Sequence, residues 1–175
     1  ITTNWVGQTG FLDRYQIRDL RRRGHVIGSH SCSHPARMSG LSKNDLNREW
    51  VDSCSLLSDI VGEPVRTASV PGGYYSRNVA EAAAQAGIEV LFTSEPTSTV
   101  SAVEGCLVMG RYCIRRGSVA SVSGAIAQGD VWQRWRQTVL WTAKKTAKVL
   151  TGDLYLVVRS QAIRGSRSFR YLAGC

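Results

Sequence analysis

The sequence predicts an α/β fold in which short buried strands alternate with longer helices. Two observations carry this prediction. Short, largely apolar segments recur at residues 25–29, 66–70 and 89–93, and amphipathic segments separate them. Strands and helices that alternate in this way form βα units around a parallel sheet, and right-handed crossovers bring the loops after the strands to one edge. We expect a functional site at that carboxyl edge.

Caps and glycine stops predict where the first helices begin and end. Residues 12–23 form the first predicted helix, with Gly24 as its stop and three consecutive arginines complementing the dipole of its last turn. The second predicted helix starts at the N-cap Ser42 and ends at Gly62. Its apolar positions repeat at helical spacing over the whole length, which makes it the clearest helix of the chain.

The rest of the chain continues the same alternation with weaker signals. A third helix is predicted over about residues 76–86, and a strand is predicted over 110–115. Two further helices are predicted over 118–128 and 130–150. In the last of these, Trp132 shares one face with apolar residues at helical spacing, which favours packing of that face against the domain.

The charge distribution and the cysteine content limit the classes of function that the sequence suits. Residues 130–175 hold nine Lys or Arg against two Asp, so they carry +7 of the total formal charge of +9. We therefore predict a domain over 1–129 and a basic, tryptophan-containing helical segment over 130–175 that packs on it. This segment also suits weak contact with an anionic membrane or glycan, while nucleic acid is not an expected partner. Five scattered cysteines without Cys-x-x-Cys spacing predict neither a disulfide framework nor a zinc ribbon.

The sequence also gives expectations about where the domain starts and in which cellular compartment the protein works. Residues from Ile1 onward read as the end of a strand passing into a loop, so we expect the start of the domain to lie upstream. No segment is long and apolar enough for a membrane-spanning helix, and no signal pattern opens the chain. Between cytoplasm and a bacterial-type cell envelope the sequence leaves the compartment open, with a mild preference for reducing conditions.

Two histidines follow the strand predicted at 25–29. His30 and His34 are four residues apart, which is about one helical turn, so both imidazoles can face one divalent ion. The pair by itself is weak evidence, because two histidines at this spacing also occur as ordinary loop or core residues. Cys32 lies between them as a third soft ligand or, in the simpler interpretation, as a small buried thiol. His25 sits at the opposite end of the strand and is interpreted as structural.

The residues around this pair resemble the second motif of the polysaccharide deacetylases, the NodB-homology family. The segment 24–35, with sequence GHVIGSHSCSHP, matches the pattern of a buried strand followed by His-Ser/Thr-x-x-His. The family's next helix and its Gly-x-Pro exit resemble residues 41–65. Residues 70–74, with sequence VPGGY, fall where the family has its Pro-aromatic-Gly loop. The resemblance covers about residues 1–96.

This resemblance implies a deformed (β/α) barrel of the polysaccharide deacetylase type, incomplete at the N-terminus. It implies a divalent metal, with zinc as the expected ion, held by His30, His34 and an aspartate, and an N-acetylated glycan as substrate. Its implied substrate and oxyanion contacts are Gly72, Gly73 and Tyr74, with Tyr74 or Tyr75 stacking on a sugar ring or packing on the next helix. Ser31 and Pro71 would support the two loops.

The sequence departs from the family pattern at several positions. The adjacent aspartates of the family's first motif are absent, because Asp13 and Asp19 lie on a predicted helix that points elsewhere, so the catalytic base is expected upstream of Ile1. Ser69 stands where the family has the arginine that orients the base. Residues 154–159 fall where the family has a late Leu-x-His motif, and they contain no histidine. The leading hypothesis is a metal-dependent hydrolase that removes N-acetyl groups from a polysaccharide or its glycan precursor. The alternative is a catalytically impaired carbohydrate-binding relative.

Overall fold

The computed structural model describes residues 1–114 and 117–151. The chain forms two compact units, Ile1–Ser118 and a second unit that begins at Val119. The first unit contains three helices, α1 (Arg14–Arg22), α2 (Lys43–Val61) and α3 (Arg77–Gln85). Each lies within two residues of its predicted bounds.

The caps of α1 and α2 are formed by short polar side chains. Asp13 accepts a hydrogen bond from the backbone N–H of Gln16, whose side chain accepts in return from the backbone of Asp13, so α1 begins with a capping box. Ser42 caps α2 by accepting from the backbone of Asp45, and Gly62 ends α2 in the left-handed conformation. Asp13 is therefore the N-cap of α1 and lies just outside the helix, although the predicted helix 12–23 includes it.

Within the described residues, four short strands form one mixed sheet. They are β1 (Thr67–Ser69), β2 (Val90–Phe92), β3 (Val100–Val103) and β4 (Cys106–Met109). Their order in the sheet is β1-β2-β4-β3. The strand β1 pairs in parallel with β2, and β2 in parallel with β4, so that Ser69, Phe92 and Met109 are aligned. The strand β3 runs antiparallel to β4 at the edge of the sheet. The loops after β1, β2 and β4 therefore meet at one edge, as the alternating pattern predicts.

Two predicted strands are wrong in extent. The segment 25–29 forms only one parallel bridge, from Ser29 to Ala68. Val26 is 77% exposed, so this segment is not the buried strand that its apolar sequence predicts. No strand forms over residues 110–114, and residues 115–116 lie outside the described part. The backbone of Gly110 packs so closely on the loop before β3 that an added Cβ would meet the carbonyl oxygen of Glu95, so this segment follows that loop instead of extending β4.

The hydrophobic core lies between the sheet and the helices α2 and α3. Trp50 is fully buried on α2, and its indole N–H donates to the carbonyl of Val79 at 3.2 Å. Ile17 of α1 joins the same core. Burying large side chains of this kind contributes roughly 1.5–3 kcal/mol each, so the three helices are fixed on the sheet and can position the loops at its edge. Other fully buried members include Leu57, Val79, Ala83 and Leu91.

The second unit contains the helices α4 (Ala120–Ala127) and α5 (Val131–Thr151), close to the predicted 118–128 and 130–150. Asp130 accepts a hydrogen bond from the backbone of Gln133 in the first turn of α5. The predicted domain boundary between residues 129 and 130 stays a prediction, and residues 154–159 lie outside the described part. No helix among the described residues is long and apolar enough to cross a membrane.

Candidate functional site

His30 lies at the carboxyl edge of the sheet, directly after the bridge from Ser29 to Ala68. Its Nδ1 atom is 2.9 Å from the backbone oxygen of Ser69 and 2.8 Å from the hydroxyl oxygen of the same residue. A carbonyl oxygen can only accept, so Nδ1 carries the proton and Nε2 keeps its lone pair. Metal-binding histidines are oriented in the same way, with one ring nitrogen donating to a carbonyl and the other turned to the ion.

The two histidine rings predicted to act together are in contact. The ring centroids of His30 and His34 are 5.1 Å apart and the ring planes are inclined by 63°. Two imidazoles on one tetrahedral zinc ion, with Zn–N distances of about 2.0 Å, have ring centroids about 5 Å apart. The separation in the structure therefore suits two ligands of one ion.

Trp5 covers one face of His34. Its ring is stacked on the imidazole at a centroid distance of 5.4 Å and an interplanar angle of 24°. Phe11 packs on the same indole at 5.0 Å. An aromatic stack restricts rotation of the imidazole, so the orientation of His34 is set by packing where that of His30 is set by hydrogen bonds.

The loop between the histidines is held by side chains of the loop itself and of α2. The buried hydroxyl of Ser31 accepts from the backbone N–H of His34 at 3.0 Å. The carboxylate of Glu49 accepts from the backbone N–H groups of Cys32 and Ser33, each at 2.9 Å, and from the Ser33 hydroxyl. Glu49 therefore fixes the middle of the loop, a role that sequence reasoning did not assign to it.

The second predicted loop, Pro71–Gly73, forms a tight turn after β1. Gly72 and Gly73 have φ values of 62° and 73°. An ideal Cβ on Gly72 would lie 3.4 Å from the carbonyl oxygen of Ala36, so this turn packs against the segment that follows His34. The structure thus brings the two predicted loops together at the same edge.

Tyr74 and Tyr75 have different surroundings. The guanidinium of Arg37 lies over the ring of Tyr74, 5.6 Å from its centroid. A sugar that stacked on that face would have to displace this cation. Tyr75 packs against the hydrophobic core, and burial raises the pKa of its phenol. The predicted contact of either tyrosine with a sugar stays a prediction.

Burial lowers the pKa of His30, and the nearby charges of His34, the amino group of Ile1 and Arg111 act in the same direction. The hydrogen bond with the backbone of Ser69 opposes them. The neutral imidazole is therefore favoured, which is the form that binds a metal. Arg111 follows β4 at the carboxyl edge, and the sequence analysis did not single it out because it lies beyond the matched motifs.

The other candidate ligands lie elsewhere. Asp13 caps α1, and Asp19 of α1 pairs with Arg23. The thiol of Cys32 is half-buried and donates to the side chain of Asn4 at 3.1 Å, and His25 is exposed. Within residues 1–114 and 117–151 no group of three His, Cys, Asp or Glu side chains is placed to hold an ion. The described residues fit a divalent ion as two of its ligands, and a full donor set requires others.

A cleft of about 310 Å³ lies beside the histidine loop, between it and α2. Glu49 forms part of its wall together with Asp45, Arg48 and Asp52 of the same helix. The cleft is strongly polar where it meets α2, because these four side chains are charged. Asn4, Cys32, Ser33, Pro35 and Leu41 complete its lining.

Comparison with known proteins agrees with this geometry. The sequence profile of the polysaccharide deacetylases matches residues 1–91, just over half of the chain. A gellan lyase of Bacillus is 33% identical over 78 residues, which are 44% of this chain and 3% of that protein. The chain therefore spans only a small part of that curated relative.

Solved structures of deacetylases share the fold. The deacetylase PplD of Streptococcus pyogenes, in complex with acetate, is similar with a TM-score of 0.58 and 22% identity, over 65% of this chain and 50% of that one. The polysaccharide deacetylase BC0361 of Bacillus cereus is similar with a TM-score of 0.63 and 18% identity, over 71% and 39%. These likenesses confirm the predicted fold class, and with the profile match they confirm the predicted family resemblance. The chain belongs to the polysaccharide deacetylase family.

Proposed function

We propose that the protein is a metal-dependent hydrolase that removes N-acetyl groups from a polysaccharide or its glycan precursor. The observation that carries this proposal is the contact of His30 and His34 at the carboxyl edge, with Nδ1 of His30 donating to Ser69. Membership of the deacetylase family supports the hydrolytic reaction and the glycan substrate. Zinc is the proposed ion, because imidazole nitrogens are among its preferred ligands.

The histidines would hold the ion, and the loops would bind and orient the substrate. A divalent ion supplies Lewis acidity, which polarises an amide carbonyl and activates water for attack. The turn Pro71–Gly73 packs beside the segment that follows His34. Backbone N–H groups of Gly72 and Gly73 are the proposed donors to the oxyanion that develops on the acetyl group. The proposed catalytic base is an aspartate outside the described residues.

The binding of zinc separates this proposal from a purely structural role of the histidines. The natural polypeptide would be titrated with zinc, and acetate release would be measured with N-acetylglucosamine polymers and their precursors. The variants His30→Ala and His34→Ala should each lower zinc affinity by at least about a hundredfold, since they remove direct ligands. His25→Ala is the matched control and should change neither quantity, because His25 is exposed. Unchanged zinc affinity in both site variants would contradict the proposal.

A second candidate function is glycan binding without turnover. Ser69 stands where the family has an arginine, and no third metal ligand lies among residues 1–114 and 117–151. Zinc-independent binding of N-acetylated glycans, with no acetate released by the natural polypeptide, would favour this candidate. Loss of glycan binding in Gly73→Ala together with full acetate release by the parent would favour the enzyme.

A further inference from the structure

The helix α5 carries a stripe of exposed apolar side chains. Val131, Trp132, Trp135 and Val139 are 81%, 61%, 53% and 44% exposed. At 100° per residue, these four side chains fall within about 100° of the helix circumference, so they lie on one side of the helix. The rings of Trp132 and Trp135 are stacked on each other with centroids 5.0 Å apart. Two stacked tryptophans and two valines form a continuous apolar surface, which we call the tryptophan stripe.

Cations accompany the tryptophan stripe without any acidic counterpart. The sequence of α5 from Val131 to Thr151 contains Arg and Lys but no Asp or Glu. Arg136 and Lys145 are both exposed. At 100° per residue, Arg136 lies directly beside one edge of the stripe, next to Trp132, and Lys145 lies directly beside the other edge, next to Val131. An apolar face with a basic border is the pattern of a helix that lies in the interface of an anionic bilayer.

We infer that the tryptophan stripe of α5 docks onto an anionic lipid surface, with the helix parallel to the membrane plane. The valines would enter the acyl boundary, the tryptophans would sit at the headgroup level, and Arg136 and Lys145 would contact lipid phosphates. The stripe and the histidines belong to different units of the chain, so the inference does not depend on the proposed reaction.

The composition of the stripe favours lipid over the other occupants of a basic helix. Nucleic acid would use the cations and the tryptophans, but it offers no partner for Val131 and Val139. A second copy of the helix would match the apolar stripe, but it would bring two uncompensated sets of cations together. An anionic bilayer provides an apolar layer and negative charge in the same geometry.

Flotation of the full chain with lipid vesicles tests the inference. Vesicles of phosphatidylcholine and phosphatidylglycerol in equal amounts should carry the protein to the top of the gradient, and vesicles of phosphatidylcholine alone should carry much less. Added salt should weaken binding, because it screens the cations. Tryptophan emission should shift to the blue on addition of the anionic vesicles and remain unchanged with the neutral ones.

Two pairs of variants distinguish binding through the tryptophan stripe from nonspecific binding to vesicles. Arg136→Gln with Lys145→Gln should lower partitioning about thirtyfold, since each basic residue near an anionic bilayer contributes about fivefold. Arg14→Gln with Arg22→Gln removes the same charge from exposed positions of α1 and should have no such effect. Trp132→Gln with Trp135→Gln should abolish the blue shift and reduce flotation, while Tyr15→Gln with Val26→Gln, at 69% and 77% exposed positions, should not.

Several results would overturn the inference. They are the absence of flotation with anionic vesicles, equal loss in the α1 control variants, and binding of duplex DNA that competes with the vesicles and depends on the same tryptophans. A concentration-dependent dimer that is abolished by the tryptophan variants, with no vesicle binding, would assign the stripe to self-association. Circular dichroism of each variant checks that α5 is retained, and the charge variants test the surface independently if a tryptophan variant fails to fold.

Discussion

Two loops at the carboxyl edge of the sheet place their backbones in the same conformation by different means. In the histidine loop, Ser31 and His34 have φ values of 66° and 58°. In the turn after β1, Gly72 and Gly73 have φ values of 62° and 73°. The left-handed region costs a non-glycine residue roughly 1–2 kcal/mol, and glycine avoids this cost. The histidine loop therefore needs compensation that the glycine turn does not.

Hydrogen bonds provide that compensation. The hydroxyl of Ser31 receives the backbone N–H of His34, while Glu49 receives two N–H groups from the middle of the loop. The glycine turn instead packs tightly, because a Cβ on Gly73 would lie 2.9 Å from the hydroxyl oxygen of Ser94. The histidine loop depends on hydrogen bonds to Ser31 and Glu49, and the glycine turn depends on the absence of a side chain at Gly73. The following variants test this difference.

Gly73→Ala should have the largest effect. The added methyl meets both the left-handed backbone and the side chain of Ser94, so we expect a loss of about 3 kcal/mol in the free energy of unfolding. Gly24→Ala is the matched control, because Gly24 has a φ of 88° and no atom within 4 Å of the added Cβ. It should lose only the backbone cost of about 1–2 kcal/mol. Urea denaturation of both variants measures the difference.

Ser94→Gly in combination with Gly73→Ala sharpens the same comparison. Removing the Ser94 side chain eliminates the contacts at 2.9 and 3.0 Å, so the double variant should approach the cost of Gly24→Ala relative to Ser94→Gly alone. Additive losses from the two substitutions would show that the crowding at Ser94 is not the source of the extra cost.

Glu49→Gln should have the next largest effect. The N–H groups of Cys32 and Ser33 both donate to Oε2 of Glu49, and a glutamine oxygen in its place would accept them without a charge. The Ser33 hydroxyl would also lose its acceptor Oε1. We expect a loss of about 1–2 kcal/mol in the free energy of unfolding and a change in the NMR signals of the His34 ring. Asp52→Asn, on the same helix and exposed, is the control and should leave the His34 signals in place. Equal changes of the His34 signals in both variants would show that Glu49 does not hold the histidine loop in place.

Ser69→Ala should have a smaller effect. The hydroxyl contact with Nδ1 of His30 is lost, but the backbone oxygen at 2.9 Å remains as acceptor. The expected loss is under about 1 kcal/mol, and the ring should keep its tautomer. Nitrogen-15 NMR of the imidazole reports which nitrogen carries the proton. A switch of tautomer in this variant would mean that the hydroxyl, and not the carbonyl, orients the ring.

The dependence of stability on pH should be the smallest effect. Burial lowers the pKa of His30 below its ordinary value of 6.5, so the unfolded chain binds more protons than the folded one as pH falls through that value. The free energy of unfolding should therefore decrease below pH 6.5 and be unaffected by His30 at higher pH. His30→Gln should flatten this part of the profile in thermal unfolding, and His25→Gln, at an exposed position, should not.

Much of the fold could be predicted because its signals are local. Ser42 and Gly62 bound α2 by capping chemistry that operates within one turn, and the alternation of segments indicates the parallel sheet. The β3–β4 hairpin was missed because its turn is Glu104-Gly105, with φ values of 49° and 82°. Such turns favour Asn or Asp at the first position, so a glutamate there gave no hairpin signal.

The candidate site could be predicted only in part for the same reason. His30 and His34 are found from their spacing and context, but nothing near Glu49 in the sequence indicates that its carboxylate reaches back 17 residues to the loop. The position of Arg111 at the site edge likewise depends on the pairing of β2 with β4. Contacts made by tertiary packing leave no local pattern to interpret.

The hydroxyl groups of Ser29 and Ser53 lie 2.7 Å apart in the core, and Ser29 also accepts from the backbone of Ser31. Ser53 and Glu49 are one turn apart on α2, so one helix carries two attachments of the histidine loop. A designer who repacked the core beneath α2, for example at Trp50, would displace both attachments together. The site is thus open to adjustment from the protein interior, and directed evolution can alter it without changing any residue that lines it.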